Sequence, residues 1–385
     1  MKKPDLKTVE ADGIRYMPLV PDKELARQVV ATYQDGWSRG GKPAIFGGDA
    51  LYFFKNFNDP AWIIEQAERM QDARTLEELP LIWYVAESEG MVLSSGALMF
   101  NHKDMSVEKG RGVTRHGVNG KGIFKTLSEV LMSQIDGIGY LTQADTNTMH
   151  KATQSNCENN LGMPAVGFMP LKYKIPTAHY WTDVENSDVI FWDGRVSVVH
   201  NVGYSGTKRN PMTFVDERAS ALRQAVLSKV GLYDSCASKT GRAHNGVIQG
   251  GTEDLSALLA EDDSVCGWMK IKANGEILPV SRLLEAASET GKAYIEVDLP
   301  ATEKDLAQQS SFLDHGFIPM SYMPGFFPGK NGDGRIDGLK LGYVVNRGLF
   351  NSYLDTMTTC QLGRVVVPSA LPIAELVLDY ARGAR

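Results

Sequence analysis

Asn119-Gly120-Lys121-Gly122-Ile123 opens the stretch of sequence that decides the fold. An amphipathic segment follows, and then Gly139-Tyr140-Leu141-Thr142-Gln143-Ala144. The stretch closes with Leu161-Gly162-Met163-Pro164-Ala165-Val166-Gly167-Phe168-Met169-Pro170. Apolar residues at helical spacing after the glycines, and short apolar runs beyond them, predict strands that lead into a glycine loop, followed by a helix, a strand, a helix and a strand.

The same pattern recurs further along the chain without the glycine loop. Asn274-Gly275-Glu276-Ile277 precedes a second amphipathic segment, and Ala293-Tyr294-Ile295-Glu296-Val297-Asp298 follows. This copy closes with His315-Gly316-Phe317-Ile318-Pro319-Met320-Ser321-Tyr322-Met323-Pro324. A constant offset of 154 residues relates the two copies and carries Gly162 onto Gly316. Such a repeat predicts two related domains, of which only the first kept a site for an anion.

A chain of 385 residues is long enough for two such domains. Proline, threonine and acidic residues gather at residues 175–187 and predict a linker there. We therefore expect a first domain at residues 1–180 and a second, degenerate domain at residues 188–385. Early in the second domain, Asp193-Gly194 follows the apolar run at residues 189–192, which predicts two strands joined by a two-residue hairpin turn.

The composition is typical of a globular protein and argues against several other classes. Hydrophobic residues make up 43% of the chain and charged residues 22%, so each half can bury a core. The net charge of −6 argues against a DNA-binding protein, which would normally carry a basic surface. No apolar run indicates a signal peptide or a membrane span. The four cysteines (Cys157, Cys236, Cys266 and Cys360) are isolated from one another, so we expect a reduced, cytoplasmic protein without a bound metal.

The glycine loop is the strongest candidate for a binding site. A turn that opens a helix offers backbone N–H groups to a phosphate at the positive end of the helix dipole, and Gly120 and Gly122 permit the tight turn. The sequence around the loop contains only two acidic residues, Asp104 and Glu108. It contains six basic residues: Lys103, Lys109, Arg111, Arg115, Lys121 and Lys125. The pattern is neither a P-loop nor a dinucleotide-binding turn. An ordinary strand-to-helix turn is the alternative to a site for a phosphorylated cofactor.

The segment from Val113 to Lys172 resembles the core of the GNAT superfamily of N-acetyltransferases. In that family a glycine loop between a polar strand and a helix holds the pyrophosphate of acetyl-CoA. A later helix ends in leucine and glycine before the last strand, as Leu161-Gly162 does here before residues 165–168. The resemblance implies an α/β (α+β) fold with two GNAT-like domains, each a mixed, mainly antiparallel sheet flanked by helices.

The resemblance also implies which residues hold acetyl-CoA or another acyl-CoA. These are Val113, Thr114, Arg115, Asn119, Gly120, Lys121, Gly122 and Ile123. In the second copy Glu276 stands at the position of Gly122, and its carboxylate would repel a pyrophosphate. A narrower resemblance to two-domain GNAT proteins rests on His150-Lys151-Ala152-Thr153-Gln154, and on Val297-Asp298-Leu299-Pro300 with Gly316-Phe317.

Acyl transfer to an amine needs a base for the ammonium and an acid for the departing thiolate. His150, at the start of a predicted helix, is one candidate base, because histidine ordinarily titrates near pH 6.5. Glu108 lies on the polar strand before the loop, where related enzymes often place a carboxylate base. Tyr173 follows the last strand and is the candidate acid, since the tyrosine usual in the family maps to Glu158. Each has a structural alternative: a histidine that binds the helix end or Gln154, a solvated glutamate, and a packed tyrosine.

Together these interpretations predict an acyl-CoA-dependent N-acyltransferase, most simply an acetyltransferase, that acts on an amine of a small molecule. Two alternatives stay open. The donor could be an aminoacyl-tRNA or an acyl-carrier protein, although the net charge of −6 disfavours tRNA. The chain could also be a regulatory protein that binds CoA without catalysis. The sequence leaves the identity of the amine and the oligomeric state open.

Overall fold

The computed structural model describes residues 1–36, 55–118, 120–148, 150–174, 186–190, 192, 195–203, 212–232, 237–241, 259–263, 268–272, 279–329 and 334–384. Contacts within the chain divide it into two compact units. The first comprises Met1–Ala144, Asn159–Gly162 and Gly203–Gly206, and the second Asp145–Glu158, Met163–Val202 and Thr207–Arg385. The predicted linker lies outside the described residues except for its last two. The division into domains 1–180 and 188–385 therefore stays a prediction.

The first unit contains six strands and three helices in the described ranges. They are β1 (Val9–Ala11), β2 (Ile14–Pro18), α1 (Lys23–Gly36), α2 (Pro60–Asp72), β3 (Leu81–Ser88), β4 (Met91–Asn101), β5 (Ser106–Thr114), α3 (Ile123–Ser133) and β6 (Leu141–Asn147), whose last three residues belong to the second unit. The caps that begin the first two helices follow from the sequence. Asp22 accepts a hydrogen bond from the N–H of Leu25 at 2.8 Å, and Asp59, before Pro60, accepts one from Ala61 at 2.9 Å.

The strands of the first unit form a sheet in the order β1-β2-β3-β4-β5-β6. All neighbours are antiparallel except β5 and β6, which are parallel and joined by α3. Helices α1, α2 and α3 pack on β3 and β4. The core is centred on β3, where Ile82, Trp83 and Tyr84 are fully buried. This central strand contains the apolar run Leu81-Ile82-Trp83-Tyr84-Val85-Ala86.

The second unit contains most of the later elements. They are α4 (Lys151–Ser155), a π-helical turn (Asn156–Asn160), β7 (Ala165–Lys174), α5 (Ser187–Ile190), β8 (Arg195–Gly203), β9 (Met212–Asp216), α6 (Ser220–Lys229), β10 (Ala237–Gly241), β11 (Leu259–Asp263), β12 (Trp268–Lys272), α7 (Val280–Glu289), β13 (Tyr294–Pro300), α8 (Leu306–Asp314), β14 (Ile318–Phe327), β15 (Ile336–Val344), α9 (Arg347–Thr356), α10 (Thr359–Val365) and α11 (Leu371–Gly383). The last two residues of the π-helical turn and the last residue of β8 belong to the first unit. The main sheet of the second unit has the order β8-β7-β14-β15-β13-β12-β11, with only β12 and β13 parallel. A separate parallel pair consists of β9 and β10.

The repeat found in the sequence is confirmed by the elements. The order β5-α3-β6-α4-β7 in the first copy matches β12-α7-β13-α8-β14 in the second. The starts of β6 and β13, and those of β7 and β14, are separated by the 154-residue offset to within one residue. In both copies the strand before the helix and the strand after it are parallel. Mixed, mainly antiparallel sheets with helices are present in both units. The predicted fold class is therefore confirmed.

The two copies meet at equivalent strands inside the second unit. Strands β7 and β14 pair antiparallel, and the register partners are Gly167 and Ser321. These residues are 154 positions apart, so each occupies the same place in its own copy. Antiparallel pairing of equivalent residues is the geometry of a local two-fold axis. A Cβ on Gly167 would lie 2.3 Å from the Cβ of Ser321, which explains why this close approach needs a glycine.

One predicted element is wrong. The run at residues 189–192 was expected to form the first strand of a hairpin, but residues Ser187–Ile190 form the short helix α5. Only a single antiparallel bridge joins Trp192 to Arg195, where β8 begins. Val189 and Ile190 are buried in this helix, so the apolar run serves the core in a different backbone conformation. Short apolar runs do not distinguish a buried strand from a buried helical turn.

Candidate functional site

The glycine loop has the backbone geometry of an anion site. Gly120 and Gly122 both adopt left-handed conformations, with φ of 82° and 76°, and Gly122 is the residue that precedes helix α3. A Cβ on either glycine would meet no atom within 4 Å. The space beside the loop is therefore open, and the first N–H groups of α3 have no partner within the helix. Asn119, the remaining polar residue of the loop, lies outside the described residues.

The residues before the loop bind the rest of the first unit. Ser94 Oγ donates to the carbonyl of Val113 at 2.7 Å and lies 2.9 Å from Thr114 Oγ1. The guanidinium of Arg115 donates to the carbonyl of Val92 at 2.7 Å and to Gln28 Oε1 at 3.2 Å. These contacts fix the strand that leads into the loop. After the loop, Ile123 is buried beneath the start of α3, and Lys121 is exposed beside the glycines.

Strand β5 is irregular just before the loop. Its register with β4 moves from Ser95 opposite Val113 to Ala97 opposite Gly110, so β5 carries one residue more than β4 at this point. This bulge contains Arg111, whose φ of 54° is left-handed. On the other side of β5, the register with β6 ends at Glu108 opposite Gln143. Beyond that pair, β5 has a backbone edge that β6 does not pair with in the described register.

Glu108 lies at the point where the pairing of β5 and β6 ends. Its side chain is exposed, and it stands opposite Met99 on β4. It belongs to the same unit and the same strand as the residues that lead into the loop. Of the three catalytic candidates, Glu108 is the one that the structure places in the unit of the glycine loop. His150 and Tyr173 belong to the second unit.

His150 precedes helix α4 in a surrounding that disfavours its charged form. Its carbonyl accepts hydrogen bonds from the N–H groups of Thr153 at 3.0 Å and Gln154 at 3.2 Å. Burial lowers the pKa of His150 to about 4, so the imidazole is neutral at pH 7. An imidazole whose conjugate acid has this pKa is a weak acceptor for the proton of an ammonium group.

The side chain of Gln154 serves the fold of the second unit. It is fully buried, and its amide donates to the carbonyls of Asn147 at 3.2 Å and Val365 at 3.0 Å. Its oxygen accepts from the N–H of Val367 at 3.1 Å. Two of these bonds join α4 to the end of α10 and the residues after it, and the third joins α4 to the end of β6. The similarity of this region to a family motif therefore includes a glutamine with a structural role.

Tyr173 lies within strand β7 rather than after it, and its hydroxyl donates to Asp145 Oδ2 at 3.2 Å. The other oxygen of Asp145 lies 2.7 Å from Nδ1 of His200, a buried residue of β8. Lys172 Nζ is 2.8 Å from Asp145 Oδ2. The candidate acid is thus part of a polar cluster that the sequence analysis did not predict.

This cluster extends through the second unit as a chain of buried ion pairs. Lys172, with 2% of its side chain exposed, also lies 2.8 Å from Glu296 Oε2. Glu296 pairs with Lys340, which in turn lies 2.7 Å from Asp298. Period-two alternation in β13 places both of these carboxylates on one face of the strand. We call the set Asp145, Lys172, Glu296, Asp298 and Lys340 the buried ion network.

Three members of the network, Asp145, Lys172 and Glu296, hold their charges at neutral pH. Burial alone would raise the pKa of Asp145, but Lys172 and His200 outweigh it and hold that pKa well below its ordinary value. Burial would likewise raise the pKa of Glu296, which Lys172 and Lys340 lower instead. Burial would lower the pKa of Lys172, which Asp145 and Glu296 hold well above its ordinary value. The charges of these three residues therefore depend on their partners.

Glu158, at the position of the family's usual tyrosine, has structural partners. Its Oε1 accepts from the N–H of Ala165 at 2.8 Å and from Lys229 Nζ at 2.7 Å. The side chain is 5% exposed. It therefore joins the π-helical turn to the start of β7 and to α6. Where the resemblance would place a tyrosine, this chain has a glutamate that pairs with Lys229.

Within the described ranges, no helix is long and apolar enough to cross a membrane. The same part of the chain contains no group of three or more histidine, cysteine, aspartate or glutamate residues that could hold a metal ion. Glu276, predicted to exclude the cofactor from the second copy, lies outside the described residues.

No protein-family model matches the chain, and no curated protein matches its sequence. Solved structures do. The chain is similar to an N-acetyltransferase from Staphylococcus aureus Mu50, at 15% identity and a TM-score of 0.34, over 49% of this chain and 97% of that one. It is also similar to the ribosomal-protein-S5-alanine acetyltransferase from Vibrio fischeri, at 9% identity and a TM-score of 0.39, over 52% of this chain and 97% of that one.

A third similar structure is the PaiA N-acetyltransferase from Thermoplasma acidophilum in complex with coenzyme A, at 13% identity and a TM-score of 0.32, over 49% of this chain and 97% of that one. Each of these acetyltransferases therefore matches about half of the chain. They belong to the class of protein that the sequence resembles.

Proposed function

We propose that the protein transfers an acyl group, in the simplest case acetyl, from acyl-CoA to an amine of a small molecule. The observation that carries this proposal is the loop at Gly120 and Gly122. Both glycines are left-handed, the space beside them is open, and they lead directly into helix α3. Backbone N–H groups presented in this way bind phosphate oxygens, and CoA carries a pyrophosphate.

The edge of β5 beyond Glu108 supports the same proposal. Among the described residues the register of β5 with β6 ends at Glu108, and the strand continues towards the loop. The arm of CoA between pyrophosphate and thiol is extended and contains amide groups. Such an arm can pair with an unpaired strand edge as an added strand would. The bulge at Arg111 interrupts the regular pairing of β5 with β4, and a backbone N–H directed at the thioester from there would polarise its carbonyl.

We assign the proton transfers to the three candidate side chains. Glu108 is the preferred base, because its carboxylate is exposed on the strand that approaches the loop. Neutral His150 is the second candidate, with a pKa of about 4 that limits its strength as a base. Tyr173 is the proposed acid for the thiolate, and its hydroxyl must leave Asp145 to donate a proton. The amine and thioester would react when the amine is deprotonated and correctly placed.

The experiment is an assay of free-thiol release from acetyl-CoA over a panel of primary amines. Turnover above the amine-free rate supports the proposal. Glu108→Gln should lower kcat by about 10²-fold, the scale of general-base effects. Glu129→Gln, an exposed substitution on α3, is the matched control and should leave kcat unchanged. Binding of CoA without release of thiol over the whole panel would instead favour a regulatory CoA-binding protein, for which the structural use of Glu158 is the supporting observation.

A further inference from the structure

Arg111 is a partly buried cation without a paired anion in the described part of the chain. It lies in the bulge of β5, and its Nη1 atom is buried with no hydrogen-bond partner among the described residues. No carboxylate of those residues lies within ion-pair distance of its guanidinium. Burial lowers the pKa of Arg111, and the more distant Glu108 opposes that shift while Arg69 adds to it. A guanidinium stays charged even so.

Three aromatic rings surround this guanidinium. Its central carbon lies 5.8 Å from the ring centre of Phe57, 5.3 Å from that of Trp62 and 5.3 Å from that of Trp83. We call these three rings the aromatic box. The attraction between a cation and aromatic faces holds the guanidinium in place. It leaves hydrogen-bond donors of the guanidinium edge without acceptors.

The box is held rigidly by its own contacts. Trp83 Nε1 donates to Ser95 Oγ at 2.7 Å, and the ring of Phe57 stacks on Tyr33 with centres 4.4 Å apart. The hydroxyl of Tyr33 donates to the carbonyl of Arg111 at 2.5 Å, so the bulge itself is fixed. A non-glycine residue with a left-handed backbone costs free energy and persists only where its surroundings determine it. The chain therefore positions this arginine at a cost.

A partly buried, fixed guanidinium whose Nη1 has no acceptor among the described residues is suited to bind an anion from outside the protein. The geometry of a guanidinium edge matches a carboxylate, which accepts two parallel hydrogen bonds. One such edge fits a single carboxylate better than a doubly charged phosphate, which would require further donors. Aromatic walls favour a ligand whose remaining atoms are apolar.

We propose that Arg111 and the aromatic box bind the carboxylate of a small ligand with an apolar body. This rests on the proposed function for one further step: the acyl acceptor is then an amine that also carries a carboxylate, as an amino acid does. Neither the glycine loop nor the three catalytic candidates would supply this recognition. The site would select the acceptor and leave the donor unaffected.

Binding is tested on the full chain, without acyl-CoA, by calorimetry and by the fluorescence of Trp62 and Trp83. The probes are 3-phenylpropionate, L-phenylalanine and 2-phenylethylamine, with inorganic phosphate as a further anion. L-phenylalanine and 2-phenylethylamine differ only in the carboxylate. We expect the two carboxylates to bind at least about tenfold more tightly than 2-phenylethylamine, the scale of one charge-assisted hydrogen bond.

Two variants assign the binding to Arg111. Arg111→Gln should weaken binding of 3-phenylpropionate by at least about tenfold, and Arg111→Lys, which keeps the charge but loses the planar edge, should weaken it less. Arg27→Gln, an exposed substitution on α1, is the control for lost charge and should bind as the unaltered chain does. If Arg111→Gln does not fold, Arg111→Lys tests the proposal, because an unchanged affinity of that variant for 3-phenylpropionate would contradict it.

Several results would overturn this inference. They are equal affinity for 2-phenylethylamine and the carboxylates, preference for inorganic phosphate, and no binding of either carboxylate at tens of millimolar. Carboxylate binding that depends on Arg111 in a protein that releases no thiol would preserve the site and refute the transferase. Equal turnover of amines with and without a carboxylate would support the transferase and refute the carboxylate site.

Discussion

Replacing Lys172 with methionine should destabilise the second unit strongly. The ammonium lies 2.8 Å from both Asp145 and Glu296, and its side chain is 2% exposed. Methionine nearly preserves the length of the side chain and removes its charge, so two buried carboxylates lose one partner. Removing one partner of a buried ion pair costs about 3–5 kcal/mol. We expect the lower end, because Asp145 keeps His200 and Glu296 keeps Lys340.

Urea denaturation followed by circular dichroism measures this loss. With a denaturant dependence of about 2–3 kcal/mol per M, a loss of about 3 kcal/mol lowers the midpoint by about 1 M. Lys125→Met is the matched control, since its 4.0 Å pair with Glu129 is exposed and should contribute less than about 0.5 kcal/mol. A Lys172→Met midpoint no lower than that of the control would refute the reasoning about the network.

The effect should also depend on pH, with a defined sign. In the unaltered chain the depressed pKa values of Asp145 and Glu296 stabilise the fold above the pKa of an unfolded carboxyl, and this contribution is lost as the pH falls through the folded values. Without Lys172, the remaining partners His200 and Lys340 offset burial less fully, so both pKa values rise relative to the unaltered chain and protonation relieves the two charges at higher pH. The difference between variant and unaltered chain should therefore narrow from pH 7 to pH 5. A difference that widens would contradict the assignment.

Two further predictions concern His150 and the division of the chain. Because the pKa of His150 is lowered to about 4, the unfolded state takes up a proton below about pH 6.5 and the folded state does not, so stability falls between pH 6.5 and 4. His150→Gln should remove part of this fall in the thermal midpoint, whereas His315→Gln, at an exposed histidine, should not. The same dependence of the thermal midpoint on pH in both variants would contradict the prediction. A fragment of residues 1–180 contains β7 without β8 or β14, its two neighbours, and should aggregate because the buried faces of that strand are exposed. Light scattering after size-exclusion chromatography checks this, and a monodisperse folded fragment would show that β7 does not need those partners.

The sequence predicted those parts of the fold that depend on local patterns. The loop at Gly120 and Gly122, the helix after it and the offset of 154 residues all appear in the structure. Backbone demands at glycine and apolar periodicity are readable from neighbouring residues. The run at residues 189–192 was misread, since a short apolar run fits a buried helical turn as well as a strand.

The parts that the sequence missed depend on distant residues. Asp145, Lys172 and Glu296 are far apart in the chain, and only the strand order places them together. The one sequence signal was the alternation in β13, where Glu296 and Asp298 alternate with apolar residues and therefore share one face of the strand. Arg111 was counted among the basic residues around the loop, yet the structure directs it into aromatic rings. Such an orientation depends on the bulge, which has no sequence signature in one chain.

Calorimetric titration of CoA into the full chain tests the central claim most directly. The unaltered chain should bind CoA at one site, and Gly122→Glu should weaken that binding by about tenfold or more, because a carboxylate would face the pyrophosphate. Gly137→Glu is the matched control, since Gly137 is also left-handed and open to solvent but follows α3 rather than preceding it. Binding retained by Gly137→Glu and lost by Gly122→Glu is the predicted result. No binding by the unaltered chain, or equal loss in both variants, would contradict the claim that this loop holds CoA.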